Sequence, residues 1–456
     1  MKTSRRKTWH LALAVGLTVS TFSFASVEAA PEGGKVRSGK AEIVKEDQTL
    51  VIDQHSRHVA LDWQKFDIAQ GETVEFRQQA HDIAVNRVVG NKASEIYGNL
   101  RAGGSVFLIN PNGVLFGQGA QIDTGSLVAS TANVKDSFMT SFGDGVEAIA
   151  LELDESSTGH IINAADIKAQ GGLVALQASV VQNTGSIEND GGQVVLSAVK
   201  NLDLSIDTAG KLNFSASGEQ AQAHILNSGT IKAAGGQVIM TAKSAGDMLS
   251  EVVNHSGLIE AKNLSVNAQG EILLDGGTNG QVNVSGTLDV SGTEPGANGG
   301  TIRVIGERTN IKETAVLKAV GQQDGGLIET SGDVLQVDTK AVIDAAGVKG
   351  KAGEWFIDPV DIIISNEAPA GYTDITPVSY DASLAEQNYN SECGRDEEIH
   401  SYLNAVYISW RLSNGTSVRI QALDANNYDP KGQIYSLGVS NIAVNAPIEK
   451  SASKMN

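Results

Sequence analysis

Short stretches in which apolar residues alternate with small or polar ones recur through the middle of the chain. Three segments align closely: NAADIKAQGGLVALQA at 163–178, NTGSIENDGGQVVLSA at 183–198 and NSGTIKAAGGQVIMTA at 227–242. Each begins with Asn, has Ile four residues later, then a Gly-Gly pair and an alternating apolar run. The second begins 20 residues after the first and the third 44 residues after the second. We interpret the longer interval as two units of about 22 residues, one of which has drifted.

A fixed unit of this length that holds two or three short strands is typical of a solenoid. The segments lack the LxxLxL frame of a leucine-rich horseshoe, so we predict an all-β protein, a parallel β-helix in which each repeat is one turn. A β-sandwich is the alternative fold, and the fixed period argues against it. Alternation along a strand predicts one set of inward side chains: Val174, Leu176, Val194, Leu196, Val238 and Met240.

The amino-terminal region, about residues 31 to 140, repeats less clearly but also alternates. The segments AEIVKEDQTLVIDQ and GETVEFRQ alternate, and HVALDWQKFDIAQGETVEF predicts two strands around the turn Ala69-Gln70-Gly71. Because the first turn of a solenoid would otherwise expose an unpaired edge, we predict that this region is a β-cap for the coil. Trp63 and Phe66 are expected in the core of the cap.

The chain opens with a targeting signal. Lys2, Arg5, Arg6 and Lys7 precede an apolar run of about 15 residues, which is too short to span a bilayer. We predict a secretory signal peptide at residues 1–29, cleaved after Ala29, and no retained transmembrane segment. The remaining chain has a net charge of about −22. Nucleic acid is therefore not an expected partner, because binding phosphates needs a basic face. The single cysteine, Cys393, cannot form an internal disulfide.

The stretch LINPNGVLFG, residues 108–117, places an Asn-Pro-Asn-Gly turn between two apolar runs. Pro111 fixes its own φ, Asn112 and Gly113 tolerate the left-handed region, and the Asn110 side chain can bond the backbone ahead of it. Each residue thus has a conformational reason to be there. None of the four is a nucleophile, a general base or a usual metal ligand.

The amino-terminal region also resembles a known family. The matching segments are GGKVRSGKAEI, HVALDWQKFDIAQGETVEF, NRVVG, IYGNL, SVFLINPNGVLFG and GSLVAST. They are similar to the secretion domain of two-partner-secretion exoproteins, the filamentous haemagglutinin family. The resemblance is dense from about residue 31 to residue 142 and looser through the repeats.

The resemblance implies a right-handed parallel β-helix that crosses the periplasm unfolded. It would leave through a cognate outer-membrane transporter, an Omp85-type barrel with POTRA domains, and fold as a secreted or surface-displayed protein. An adhesin-like task implies a host-cell or surface receptor. In the family, an Asn-Pro-Asn turn and an upstream Asn-Arg block characterise the secretion domain. The corresponding residues are Asn110, Pro111, Asn112 and Gly113, with Asn86 and Arg87. The transporter could read these side chains or they could stabilise the fold, and we favour the second.

The chain divides into five parts: signal peptide 1–29, secretion-domain cap and first rungs 30–145, β-helix repeats 146–365, polar linker 366–400 and a further β-rich segment 401–456. The block KAGEWFIDPVDIIIS, residues 351–365, is similar to one that closes the first β-helix segment of large exoproteins. We expect Trp355 and Phe356 to close the coil there, although an exposed aromatic pair could instead bind a sugar. No cap is evident at the end, so we expect a truncated or short member.

Two other functions stay open, a haem- or haemopexin-binding exoprotein and a β-helix enzyme acting on polysaccharide. The enzyme would need clustered carboxylates on one face. Four acidic residues at comparable places in the repeats could stack into a column: Asp166, Glu188, Asp190 and Glu260. We interpret them as a solvated face that no Lys or Arg accompanies in a fixed pattern. His55 and His58 lack a third ligand and are expected at the surface or half-buried. We therefore predict no enzyme activity, no cofactor and no metal site.

Overall fold

Three long β-sheets wind around one apolar core in the computed structural model. It describes residues 30–145, 148–154, 158–207, 211–245, 250–263, 269–359, 362–365, 401–404, 408, 416–420 and 442–444. The predicted signal peptide, the predicted linker and Cys393 lie outside these residues. Through most of them, from residue 83 to residue 359, three short strands in succession make one turn of the coil, and each of the three sheets takes one strand from a turn. We call each turn a rung.

The amino-terminal elements are β1 (Lys35–Ser38), β2 (Ala41–Glu46), β3 (Thr49–Gln54), β4 (His58–Trp63), β5 (Thr73–Arg77), β6 (Ile83–Val88), β7 (Ser94–Ile96), β8 (Asn99–Ala102), β9 (Ser105–Ile109), β10 (Val114–Phe116), β11 (Gln121–Thr124), β12 (Ser126–Ser130), the helix α1 (Asp136–Ser141) and a 3-10 turn (Phe142–Asp144). The central strands are β13 (Ala148–Glu152), β14 (His160–Asn163), β15 (Asp166–Ala169), β16 (Leu173–Gln177), β17 (Val180–Asn183), β18 (Ser186–Glu188), β19 (Gln193–Ala198), β20 (Asn201–Ile206), β21 (Leu212–Ser217), β22 (His224–Asn227), β23 (Thr230–Lys232), β24 (Gln237–Ala242), β25 (Ser250–His255) and β26 (Leu258–Glu260). The carboxy-terminal strands are β27 (Glu271–Asp275), β28 (Gly280–Val284), β29 (Thr287–Asp289), β30 (Thr301–Ile305), β31 (Arg308–Ile311), β32 (Val316–Lys318), β33 (Leu327–Gly332), β34 (Val334–Val337), β35 (Val342–Asp344), β36 (Glu354–Pro359), β37 (Ile362–Ser365), β38 (Ser401–Asn404), β39 (Ser417–Ile420) and β40 (Ile442–Val444).

The strands of each sheet stack in parallel from β4 onwards, and the predicted parallel β-helix is confirmed. Sheet I runs β1-β4-β6-β9-β12-β16-β19-β24-β27-β30-β33-β36-β39, sheet II runs β7-β10-β14-β17-β22-β25-β28-β31-β34-β38-β37-β40, and sheet III runs β2-β3-β5-β8-β11-β15-β18-β23-β26-β29-β32-β35. In sheet I, Val174 pairs with Val194 and Val194 with Val238. All six side chains predicted to face inward are fully buried.

The first strands differ from the rest because they pair antiparallel. β1 runs antiparallel to β4 in sheet I, and β2 runs antiparallel to β3 in sheet III. Trp63 and Phe66 are both buried beneath these strands, and their rings meet edge to face with centroids 5.4 Å apart. These antiparallel strands cover the first parallel rung, as expected of a cap.

The interval between the second and third repeats is not a drifted rung, so that prediction was wrong. β19 pairs directly with β24, in register from Gln193 opposite Gln237 to Ala198 opposite Ala242. The intervening β20 and β21 leave the coil and form an antiparallel sheet with β13, the flanking sheet. Their alternating sequences suit a strand in either setting, so the pattern alone did not separate a rung from an insertion.

The flanking sheet, with α1, covers the outer face of sheet I. Residues from the coil such as Val85, Phe107 and Val128 form a second buried cluster with Met139 of α1 and Leu204 of β20. Sheet I is therefore covered by apolar side chains on both of its faces in this region. Every residue of β9, β12 and β16 is buried.

A row of buried amides runs along the inside of sheet II. The side-chain amide of Asn163 donates to Asn183 Oδ1 (2.8 Å), and that of Asn183 donates to Asn227 Oδ1 (2.7 Å). The Asn227 amide then meets Nδ1 of His255 at 3.1 Å, while Nε2 of His255 lies 3.1 Å from the carbonyl oxygen of Thr287. An amide donor on one side and a carbonyl acceptor on the other select the neutral ring with its proton on Nε2.

The coil continues beyond the block predicted to close it. Trp355 of β36 pairs with Val418 of β39, so a further strand follows in sheet I. Trp355 is fully buried and its Nε1 donates to Thr330 Oγ1 (3.0 Å). Phe356 points outward beneath Arg419, whose guanidinium carbon lies 3.6 Å from the ring centre. The two aromatic side chains lie on opposite faces, which removes the sugar-binding pair considered from the sequence.

The position of His255 makes the stability of the coil depend on pH. Burial lowers its pKa to about 4, whereas the unfolded chain takes up the proton near the ordinary value of about 6.5. Stability from this residue is therefore complete above pH 6.5 and is lost as the pH falls towards 4. In urea titrations of wild type and His255→Gln, we expect the wild-type advantage to shrink by about 3 kcal/mol between pH 7 and pH 4. A pH-independent difference would contradict the assignment.

Candidate functional site

The Asn-Pro-Asn-Gly turn forms the corner between sheets I and II of one rung. It follows β9 and precedes β10, and the Gly113 N–H donates to the Asn110 carbonyl oxygen at 3.0 Å, closing a four-residue turn. Pro111 is half-buried and Asn112 is exposed. The turn thus has one face towards the core and one towards solvent.

Asn110 holds this corner to the neighbouring rung. Its side chain is fully buried, and its amide donates to the carbonyl oxygen of Lys92 (2.9 Å) and to Ser94 Oγ (3.0 Å). Its Oδ1 accepts from the backbone N–H and from the side-chain amide of Asn112, both at 3.0 Å. Every polar atom of the Asn110 side chain is thus satisfied inside the protein, as burial requires.

Gly113 is the position in the turn that a side chain could not share. Its φ is +114°, in the region that residues with a Cβ avoid. A Cβ added there would also lie 2.9 Å from the carbonyl oxygen of His160 in the next rung. The glycine therefore allows both the turn and the close approach of the following rung.

Asn86 is a polar side chain inside the apolar ladder of sheet I. It stacks between Leu61 and Leu108 and is fully buried. Its Oδ1 accepts from Nε1 of Trp63 (3.0 Å), and its amide donates to the carbonyl oxygen of Phe107 (3.2 Å). Asn86 thus ties the capping tryptophan to the rung that carries the turn.

Arg87, on the opposite face of the same strand, connects four segments. Its guanidinium donates twice to Asp62, at 2.8 and 2.9 Å, and also donates to Asp136 Oδ1 (2.7 Å) and to the Val134 carbonyl oxygen (3.0 Å). Arg37 of β1 pairs with Asp62 as well, at 2.8 Å. The bond to Asp62 raises the pKa of Arg87, and the bond to Arg87 lowers the pKa of the Asp136 carboxyl. These ion pairs fasten β1 and α1 to the first rungs.

The two blocks predicted from the sequence meet at one surface cleft of about 400 Å³. The lining residues come from the end of β6, from the turn and from the segment before α1. They are Arg87, Val88, Val89, Gly90, Asn91, Pro111, Asn112, Ala132, Asn133, Val134 and Asp136. Asn110 and Asn86 lie beneath the cleft and do not line it. The structure thus separates buried motif residues from exposed ones.

Two partners of the motif, Asp62 and Asp136, were not predicted. They lie 25 and 49 residues from Arg87 along the chain. Asp62 follows an apolar residue in a strand and Asp136 begins a short helix, so neither has a local signal for an ion pair with Arg87. Stacking of the rungs brings these residues together.

The acidic column considered for catalysis is not formed. Asp166 lies in a different row from Glu188, and Lys232 stands between Glu188 and Glu260. The expectation that no Lys accompanies them was therefore wrong: Lys168 lies 3.4 Å from Glu188 and Lys232 lies 3.9 Å from Glu260. Neighbouring charges of opposite sign remove the carboxylate cluster on which the enzyme alternative depended.

The histidine pair separates as well. His55 is exposed, but His58 is buried at 8% exposure, against the expectation, and its ring lies 4.9 Å from that of Phe142. Burial, followed by the nearby Arg57, lowers its pKa. Across the described ranges, no group of three or more His, Cys, Asp or Glu residues could hold a metal ion. None of the helices in the same ranges has the length and apolar character needed to cross a bilayer.

The described residues form a parallel β-helix with a β-cap at its start and the corner motif in one of its first rungs. A family model described as the TPS secretion domain matches residues 27–290. Because this match covers more than half of the chain, the chain belongs to the TPS secretion domain family.

Two curated relatives, both from Haemophilus influenzae, are named Heme/hemopexin-binding protein. One is 34% identical over 201 residues, which is 43% of this chain and 22% of the relative. The other is 39% identical over 127 residues, which is 27% of this chain and 14% of the relative. The similarity therefore spans about a fifth or less of the length of these relatives.

A solved structure shares the fold. The secretion domain of HMW1 from Haemophilus influenzae superimposes with a TM-score of 0.60 at 22% identity. The superposition covers 72% of this chain and 95% of that domain. At this identity the likeness concerns the architecture of the coil.

Because Asn110 is buried and Asn112 is exposed, we expect their substitutions to lower the stability of the protein by different amounts. We expect Asn110→Ala to lower the free energy of unfolding by about 2 kcal/mol, because it leaves the Lys92 carbonyl and the Asn112 N–H without their partner. Asn112→Ala should cost less than about 0.5 kcal/mol, since its side chain is exposed. Urea denaturation of the two variants measures both values. A loss below about 0.5 kcal/mol for Asn110→Ala would show that Asn110 does not hold the corner.

Proposed function

We propose that the protein is a two-partner-secretion exoprotein that passes through a cognate outer-membrane transporter with POTRA domains. The match of the family model over residues 27–290 carries this proposal. The protein would be secreted or displayed at the cell surface, with residues 30–145 as the start of its secretion domain. The excess of acidic residues and the glycine-rich turns suit a chain that must stay extended until it has crossed the outer membrane.

Folding outside the cell supplies the driving force in this proposal. Each rung buries an inward row of apolar side chains against the rung before it, and burial contributes about 25 cal/mol per Å² of apolar area. A rung cannot bury this surface alone, so an extended chain gains stability as successive rungs are added. Return through the transporter would require these rungs to unfold.

The motif residues would have two roles. Asn86, Asn110 and Gly113 are buried and stabilise the first rungs that fold. Pro111 and Asn112 face the cleft beside Arg87 and are accessible to the transporter before and after folding. We place the stabilising role first, because the buried residues account for most of the hydrogen bonds of the corner.

Export from a Gram-negative host with and without the cognate transporter tests this function. We expect the protein in the medium or on the surface when the transporter is present, and retention in the periplasm when it is absent. Asn110→Ala should reduce the exported amount several-fold, whereas Asn213→Ala, an exposed asparagine on β21, should leave it unchanged. Export at the wild-type level without the transporter would contradict the function. Full export of Asn110→Ala would contradict the role of the turn.

For the exported protein, we propose that haem or hemopexin is the ligand. Both curated relatives are named for binding them, which favours this role over the adhesin role expected from the resemblance. Because the alignments reach a small part of those relatives, the binding residues cannot be carried over to named positions. An adhesin would instead bind a receptor on a host cell.

Purified exported protein can be titrated with haem and, separately, passed over immobilised hemopexin. We expect a saturable change in the Soret absorbance, or retention on hemopexin that free hemopexin competes away. Serum albumin of the same concentration in place of hemopexin serves as the control surface. If neither ligand binds while cell-adherence assays are positive, the adhesin role replaces this proposal.

A further inference from the structure

The inward side chains of the three aligned rungs differ little from one rung to another. Sheet III places Ile167, Ile187 and Ile231 in one row, and the amide row of sheet II repeats Asn three times. In sheet I the row Val174, Val194 and Val238 is uniform. A further inward row changes only from Leu176 and Leu196 to Met240. A rung stacked on the wrong neighbour would therefore bury closely similar apolar side chains.

Bypassing a rung-length segment is a real alternative for this chain. The native coil already does so after β19, where about 25 residues leave the stack before β22 begins. As a result, β19 pairs directly with β24. If the rung of β17, β18 and β19 left the coil in the same way, β15 would pair with β23. The inward rows would then remain uninterrupted.

One outward row of sheet III does discriminate between these arrangements. Its charges alternate in sign along six successive rungs: Arg101, Asp123, Lys168, Glu188, Lys232 and Glu260. We call these six residues the charge row. The Lys168 ammonium lies 3.4 Å from the Glu188 carboxylate, and that of Lys232 lies 3.9 Å from the Glu260 carboxylate. Opposite charges face each other across each strand pair, which stabilises the pairing.

We propose that the charge row fixes the order in which the rungs stack, by opposing the omission of a rung. Because the signs alternate with a period of two rungs, leaving out one rung brings like charges together. Without β18, Lys168 would face Lys232. Like charges directly opposite each other destabilise a strand pair, so the native order is selected although each exposed pair adds little to overall stability.

The break in the alternation supports this role. Glu260 is followed by Asp289, two acidic residues in succession, and the alternation then resumes with Lys318 and Asp344. Here Lys262, from outside the row, pairs with both carboxylates and lies 3.2 Å from that of Asp289. The alternation thus holds through the near-identical rungs and continues on both sides of them, and a separate lysine compensates at the break.

A charge exchange tests the proposal at constant composition and net charge. In Glu188→Lys/Lys232→Glu, the native order places lysines at 168 and 188 together and glutamates at 232 and 260 together. Omitting the rung of β18 places Lys168 opposite the glutamate at 232, so the exchange favours the wrong order. Glu188→Gln/Lys232→Gln, which removes both charges, is the second variant and introduces no like-charge pair.

Engineered cysteine pairs report the order, in protein that also carries Cys393→Ser. Ser186→Cys with Thr230→Cys reports the native order, since the two positions pair directly. Asp166→Cys with Thr230→Cys reports the omission. In the native order these positions are two strand spacings apart, about 10 Å, beyond the reach of a disulfide. Each protein is unfolded in urea, diluted into oxidising buffer and scored for the cross-link.

We expect the omission cross-link to rise several-fold in the exchange variant over the protein with native charges, with a matching fall in the native cross-link. The variant without charges should lie between them. Because the cross-link forms during refolding, the reading does not require the exchange variant to reach a stable state. Equal omission cross-links in all three proteins would overturn the proposal.

Discussion

Each strand of this coil depends on its neighbouring rungs for hydrogen bonds. A parallel strand cannot pair with a strand that follows it after a short turn, so β15 bonds to β11 and β18, one rung away on either side. The same stacking buries the inward side chains. A single rung is therefore unstable alone, and the first one needs a cover, which the antiparallel β1 and β2 provide.

The corner motif follows from this dependence. Where the chain leaves sheet I, the Asn110 side chain bonds to the Asn112 N–H within the turn and to the Lys92 carbonyl and Ser94 in the rung before it. Gly113 permits the close approach of His160 in the rung after it. Two further side chains join the cap to the first rungs. Asn86 does so inside the coil, through Trp63, and Arg87 does so on the outer face, through Asp136. The motif is thus concentrated where rung-to-rung stacking begins.

The sequence predicted the parts of the fold that repeat locally. Alternation and the Gly-Gly pairs identified Val174, Val194 and Val238 as inward before any pairing was known. The alternating pattern could not separate the 199–223 insertion from a rung, because strands alternate in both settings. Which of the two forms depends on the second apolar cluster, which β20 and β21 complete. It likewise placed the turn at residues 110–113, but Asp62 and Asp136 join Arg87 through stacking alone. Lys168 and Lys232 lie opposite Glu188 only through the register of neighbouring rungs, which the sequence pattern does not give.

Amide hydrogen exchange of the native protein, followed residue by residue, tests the stacked coil most directly. We expect slow exchange at β15, β16 and β17, rapid exchange at the corners between them, and the same three-strand period in the following rungs. Protection in the interval 199–223 should break the period, because β20 and β21 pair outside the coil. A protection pattern typical of an antiparallel hairpin between β16 and β17 would contradict the stacked coil.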